Sequence, residues 1–208
     1  ETEALARFGR RPGERLDGWG WIADDVWGAH GVHFDDAEVA LLGERGVGVA
    51  HCPSSNARLA SGMCRVGELE PAGAPVGLSV DGVASNEVGR LFPELRQSLY
   101  TARQRTLDAA SFLPAAAIRL ATEGGARCLG RDDLGRLEVG AAADLAVWPG
   151  DDLGDVPDVI DGLVLGPDRL VRHLYVAGRR VVEDGRVLGL DLDAAQRELA
   201  VAARRLWS

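Results

Sequence analysis

Three short apolar runs constrain the fold of this chain more than anything else in its sequence. Residues 26–29 (VWGA), 47–50 (VGVA) and 76–80 (VGLSV) are continuous and rich in valine or glycine. Such runs read as short buried strands rather than as half-exposed alternating ones. Each is followed at once by a residue that can do chemistry: His30, His51 and Asp81. Between them lie helix-like stretches. Residues 35–44 (DDAEVALLGE) place Asp35 at an N-cap, and residues 65–72 form a weaker helix. A third helix is predicted over 91–105, with Pro93 in its first turn. Strand and helix in alternation, with polar residues at the strand C-terminal ends, is the grammar of a parallel α/β sheet. In an eight-fold barrel the same positions ring the active site. A full barrel takes about 250 residues and eight units, so the three units visible here make any barrel a partial one.

The grammar changes near residue 130, which divides the chain into 1–130 and 131–208. A helix over 114–121 (PAAAIRLA) leads into a glycine-rich stretch. Residues 144–148 (DLAVW), 170–176 (LVRHLYV) and 180–183 (RVVE) then read as strands. Tight turns at Ala177-Gly178 and Asp184-Gly185 join the later ones into antiparallel hairpins. A final amphipathic helix is expected over 193–207, with Leu199, Ala203 and Leu206 on the face that packs back on the body.

Charge narrows the partners. Acidic residues outnumber basic ones 32 to 23, for a formal net charge of −9, which disfavours a nucleic-acid partner. No run of about 18 apolar residues and no charged-then-apolar leader occurs, so neither a membrane partner nor a signal peptide is expected, and the chain reads as soluble and cytoplasmic. Cys52, Cys64 and Cys128 lack C-x-x-C spacing and read as reduced, mostly buried thiols, not a disulfide framework or a thiolate zinc site. The only methionine is Met63 and the first residue is Glu1, so the chain is expected to be a piece of a longer protein.

His30, His51 and Asp81 terminate successive predicted strands, and one sheet edge would present all three. Imidazole with carboxylate suits a borderline divalent metal such as zinc, and equally suits acid–base chemistry without one. His33 falls past the strand, where substrate contact and helix capping are both open. His173 lies among the hairpins and reads as structural. The Gly82, Ser85, Asn86 loop is either ligand-binding or turn chemistry.

Residues 29–33 (AHGVH), 50–56 (AHCPSSN), 78–86 (LSVDGVASN) and 135–145 (GRLEVGAAADL) together resemble the amidohydrolase superfamily, in its branch of aminohydrolases acting on aminated nitrogen heterocycles. The resemblance covers essentially the whole chain, in order. It implies a (β/α)8 barrel with a small β-sandwich built from both chain ends, of which this chain would hold the C-terminal parts. It implies that Asp81 touches a divalent metal, expected to be Zn2+, and its water. It also implies that His30 hydrogen-bonds that water and steadies the tetrahedral intermediate. His51 and Asn56, and with them His33, are expected near the substrate. The implied reaction is hydrolytic deamination, with 8-oxoguanine favoured and giving urate and ammonia. Alkylamine release from a hydroxylated triazine, or deamination of another purine or pyrimidine, is the alternative within the family. A small heterocycle is thus the expected partner, and the full-length protein is expected to be a homo-oligomer.

The family's His-x-His pair and His-x-x-Glu element are absent. Glu1 is not assigned as that glutamate, because the histidine three residues before it would lie outside the chain. The remaining metal ligands and the proton shuttle are therefore expected outside this sequence. An inactive, metal-free truncated product is the alternative of a different class.

Overall fold

The computed structural model describes residues 1–153 and 155–206, which fall into two compact units. The first unit comprises Glu1–Ala141 and Asp151–Asp168. Its elements are α1 (Thr2–Phe8), α2 (Pro12–Gly18), β1 (Trp27–Ala29), α3 (Asp36–Arg45), β2 (Gly48–His51), α4 (Pro53–Arg58), α5 (Val66–Ala72), β3 (Val76–Leu78), α6 (Leu91–Thr106) and α7 (Pro114–Arg119). A π-helical turn, Leu120–Gly124, leads into α8 (Gly125–Cys128), and α9 (Val159–Leu165) completes the unit.

β1, β2 and β3 pair in chain order and in parallel, with Gly28 beside Val49 and Val49 beside Val76. Helices make the crossovers, as parallel pairing demands. α3 starts where the sequence places it: Asp35 accepts the Glu38 N–H at 2.9 Å, and the Glu38 carboxylate reaches back to the Asp35 N–H at 3.1 Å. This reciprocal cap satisfies two N–H groups that the helix itself cannot. Gly46, at φ 68°, ends the helix in the left-handed region. The core gathers Val49 and Val76 of the sheet with Leu69 of α5, Leu99 of α6 and Leu120 of the π-turn. One glycine is dictated by close approach. A Cβ on Gly124 would lie 2.0 Å from the Val76 carbonyl oxygen, so only glycine lets the π-turn rest on β3.

The first strand departs from expectation. β1 is exposed at all three positions, although its run reads as buried. Among the described strands it pairs with β2 alone, so its other edge and much of its surface are uncovered.

The second unit comprises Ala142–Gly150 and the residues from Arg169 onward. β4 (Leu145–Val147), β5 (His173–Val176), β6 (Arg179–Glu183) and β7 (Arg186–Val187) form an antiparallel sheet in that order, and α10 (Leu192–Leu206) follows. Both hairpin turns have two left-handed central residues, Ala177 and Gly178 at φ 48° and 75°, and Asp184 and Gly185 at φ 45° and 76°. That is the type I′ geometry that matches strand twist. The units part at Ala141 rather than near residue 130, and α9 returns the chain to the first unit. α10 forms as expected but buries none of its residues, and Trp207, placed in this helix from the sequence, lies outside the described residues. No helix among the described residues is long and apolar enough to cross a membrane. Cys52, Cys64 and Cys128 are free thiols, and burial pushes Cys64 up to about 12.

Candidate active site

His30 follows β1 directly, and Asp81 comes three residues after the end of β3. Both take left-handed backbone, at φ 73° and 62°, a conformation that costs a non-glycine residue about 1–2 kcal/mol. The ladder holds His30 in this state, its N–H donating to the Ala50 carbonyl at 2.8 Å. Strain of this kind, over-determined by neighbouring structure, is a recurrent property of functional positions.

The two side chains meet at the C-terminal edge of the sheet, with His30 Nε2 3.8 Å from Asp81 Oδ2. Asn56 of α4 fixes the imidazole from behind: its Oδ1 lies 2.9 Å from His30 Nδ1. An amide oxygen only accepts, so Nδ1 carries the proton and Nε2 is the nitrogen turned toward Asp81. Asp81 is held more tightly still. Its Oδ2 accepts the hydroxyls of Ser55 at 2.5 Å and Ser85 at 3.0 Å, and its Oδ1 accepts the Gly82 N–H at 2.7 Å. The Ser55 hydroxyl above all, then the Gly82 N–H, Ser85 and the neighbouring His30, hold this carboxyl below its ordinary value. The result is an ionised carboxylate with one lightly used oxygen beside an imidazole of defined tautomer. Such a pair can accept, hold and return a proton.

The other residues singled out from the sequence fall elsewhere. His51 ends β2 but is 2% exposed, and neither ring nitrogen has a hydrogen-bond partner among the described residues. Register puts it beside Leu78 and alternation puts it on the face of Val49, opposite the face where Gly48 and Gly77 meet α8. Burial pushes its imidazole down to about 4, so it stays neutral. It is therefore not among the groups gathered around Asp81. The side chain of His33 is exposed, and the hydrogen bond it makes is through its carbonyl, to Arg11 Nη2 at 2.6 Å. Asn56 does reach the cluster, but through His30. His173 sits in the hairpin sheet, its Nδ1 accepting the Asp184 N–H at 3.4 Å, as its structural reading expects.

Sequence reasoning missed two groups. Ser55 carries the shortest contact to Asp81, and its signal is its place beside Asn56 in the PSSN run that opens α4. Glu94, 1% exposed in the first turn of α6, accepts the Ser54 N–H at 3.0 Å and the Asn86 amide at 2.9 Å. No group of three or more His, Cys, Asp or Glu side chains among the described residues could hold a metal ion. The His30–Asp81 pair falls short of the four donors that zinc takes. The described residues alone therefore do not make a metal centre.

Comparison with known proteins follows the same lines. The chain is 45% identical over 208 residues to the 8-oxoguanine deaminase of Pseudomonas aeruginosa, covering 99% of this chain and 46% of that protein. It is 38% identical to an isoxanthopterin deaminase from an unknown prokaryotic organism, over 99% of this chain and 45% of that protein. Its fold superposes on an adenosine deaminase from Xanthomonas campestris, solved with bound zinc, at a TM-score of 0.89 and 34% identity, over 99% of this chain and 47% of that one. The chain thus spans about half the length of the curated relatives it matches. Residues 2–181 match the amidohydrolase family, a span that takes in His30, Asn56 and Asp81, the three parallel strands and most of the hairpin sheet. On that match the chain belongs to the amidohydrolase family.

Proposed function

We propose that this chain is the C-terminal half of a hydrolytic deaminase of aminated nitrogen heterocycles, with 8-oxoguanine the favoured substrate. In this reading β1, β2 and β3 are the last strands of a (β/α)8 barrel, and β4–β7 belong to a β-sandwich shared with the other half. The observation that supports it is the meeting of His30 and Asp81 at the C-terminal edge of parallel strands, in a chain with such extensive identity to 8-oxoguanine deaminase.

The reaction adds water across the amino-bearing ring carbon and expels ammonia, so 8-oxoguanine and water give urate and ammonia. Asp81, kept ionised by Ser55, Ser85 and Gly82, accepts the proton of the attacking water at Oδ1 and later returns it to the departing amine. His30, its Nδ1 proton engaged by Asn56, offers Nε2 as an acceptor to the water's other O–H and then to the hydroxyl of the tetrahedral adduct, orienting both. A divalent metal, with Asp81 as one ligand and the others contributed from outside this chain, would supply Lewis-acid activation of the water.

The test is amine release by the full-length protein, read as ammonia from 8-oxoguanine, isoxanthopterin and adenosine and as alkylamine from a hydroxylated triazine, alongside its zinc content. The expected result is fastest turnover of 8-oxoguanine and about one zinc per chain. Turnover of none of these by the metal-loaded protein would overturn the reading.

A further inference from the structure

Glu94 puts a buried carboxylate behind the cluster rather than in it. Both of its oxygens are used: Oε2 accepts the Ser54 N–H at 3.0 Å and Oε1 accepts Asn86 Nδ2 at 2.9 Å. The same Nδ2 also donates to the Val80 carbonyl at 3.0 Å. Each anchored residue is the chain neighbour of one that shapes the site. Ser54 precedes Ser55, Val80 precedes Asp81, and Asn86 follows Ser85. The position of Glu94 in the first turn of a 16-residue helix favours its negative charge. One carboxylate therefore ties the first turn of α4 to the loop after β3, the two segments whose hydroxyls converge on Asp81 Oδ2.

We propose that Glu94 is the positioning residue of Asp81. By fixing Ser54 and Asn86 it holds the Ser55 and Ser85 hydroxyls on Oδ2 and leaves Oδ1 aimed at the reacting water. The proposal rests on the deaminase reading for its kinetic consequence, though not for its geometry.

Glu94→Gln in the full-length enzyme preserves volume but turns an NH2 group toward one of the two donors. The expected result is a fall in kcat of about 10–100-fold, the usual effect of losing a group that orients a reacting residue, with KM little changed. The loss should be non-additive with Ser55→Ala, because both act through the same contact. Asn86→Ser leaves Glu94 in place while cutting one arm, and should lower kcat in the same direction if Glu94→Gln does not fold. Additive losses, or a lower Tm with parental kcat per folded molecule, would overturn the proposal. A crystal structure of Glu94→Gln supplies a readout free of activity: the contact from Ser55 Oγ to Asp81 Oδ2, 2.5 Å here, should lengthen. An unchanged contact overturns the positioning role. If the parent enzyme releases no ammonia, the deaminase reading falls while the crystallographic comparison still decides the role of Glu94.

Discussion

Asp81→Asn keeps the side chain's shape and removes the charge that two serine hydroxyls and the Gly82 N–H hold in place. In the full-length protein both metal retention and deamination should suffer, as metal analysis and ammonia release will register. His30→Asn should spare metal content and lower turnover by about 10²–10⁴-fold, the contribution of one positioned acid–base group. A variant that loses stability but keeps its turnover per folded molecule would remove His30 from the reaction. His51 makes a different prediction. Its imidazole is depressed from 6.5 to about 4 by burial, so below pH 6.5 the unfolded chain binds a proton that the folded chain refuses. Stability is therefore lost as pH falls from 6.5 toward 4, by on the order of 3 kcal/mol at the lower end. His51→Gln should flatten the thermal midpoint between pH 7 and 5, while an unchanged acid slope would assign the loss to other groups. His30 and Asp81 are legible in the sequence because they terminate apolar runs. Register hides the fate of His51, since one residue of alternation decides whether a strand-end side chain stays at the rim or is buried, as His51 is. Glu94 is hidden for another reason: an acidic residue in a helix's first turn usually faces solvent, and only the loops packed on it reveal its burial.

Helix starts were the most readable elements, since Asp35 and Pro93 announce α3 and α6 by local chemistry that tertiary structure did not override. α4 and α9 were not readable. α4 is a six-residue helix whose PSSNAR run carries no apolar period to announce it, and α9 begins with β-branched Val159 and Ile160. The Asp158 side chain, accepting the Ile160 N–H at 2.7 Å, starts α9 despite them. Glycines separate the two kinds of constraint on an element. Gly67 lies inside α5 with nothing within 4 Å of a Cβ, so Gly67→Ala should stabilise by about 0.5–1 kcal/mol through the unfolded chain's lost freedom. Gly124→Ala would instead drive a methyl into the Val76 carbonyl. Lifting the π-turn off β3 should destabilise by on the order of 2–3 kcal/mol. Thermal or denaturant unfolding of the pair checks both signs, and equal effects would contradict the close-packing account.

For the whole molecule, the mismatch between β1's apolar sequence and its exposure carries the argument. An apolar strand paired on one side, with Trp27 50% exposed and Trp19 and Trp21 more than half exposed nearby in the chain, presents both unpaired backbone groups and apolar area to water. Open strand edges of this kind template further pairing, and large uncovered apolar patches mark surfaces that expect a partner. In the proposed barrel that partner is the preceding strand–helix unit, which would cover the same edge that sequence patterning marks as buried. The 208 residues expressed alone should therefore self-associate in a concentration-dependent way, and the full-length protein should not do so through this edge. Light scattering across a dilution series, with hydrogen exchange read at residues 26–29, distinguishes the two. The expected pattern is fast exchange along the outer edge of β1 in dilute isolated chain, and protection of that edge in the full-length protein. A monodisperse, reversibly folding monomer of the isolated chain would show that its edge is stable in water, and would remove the reason for assigning β1 a missing neighbour.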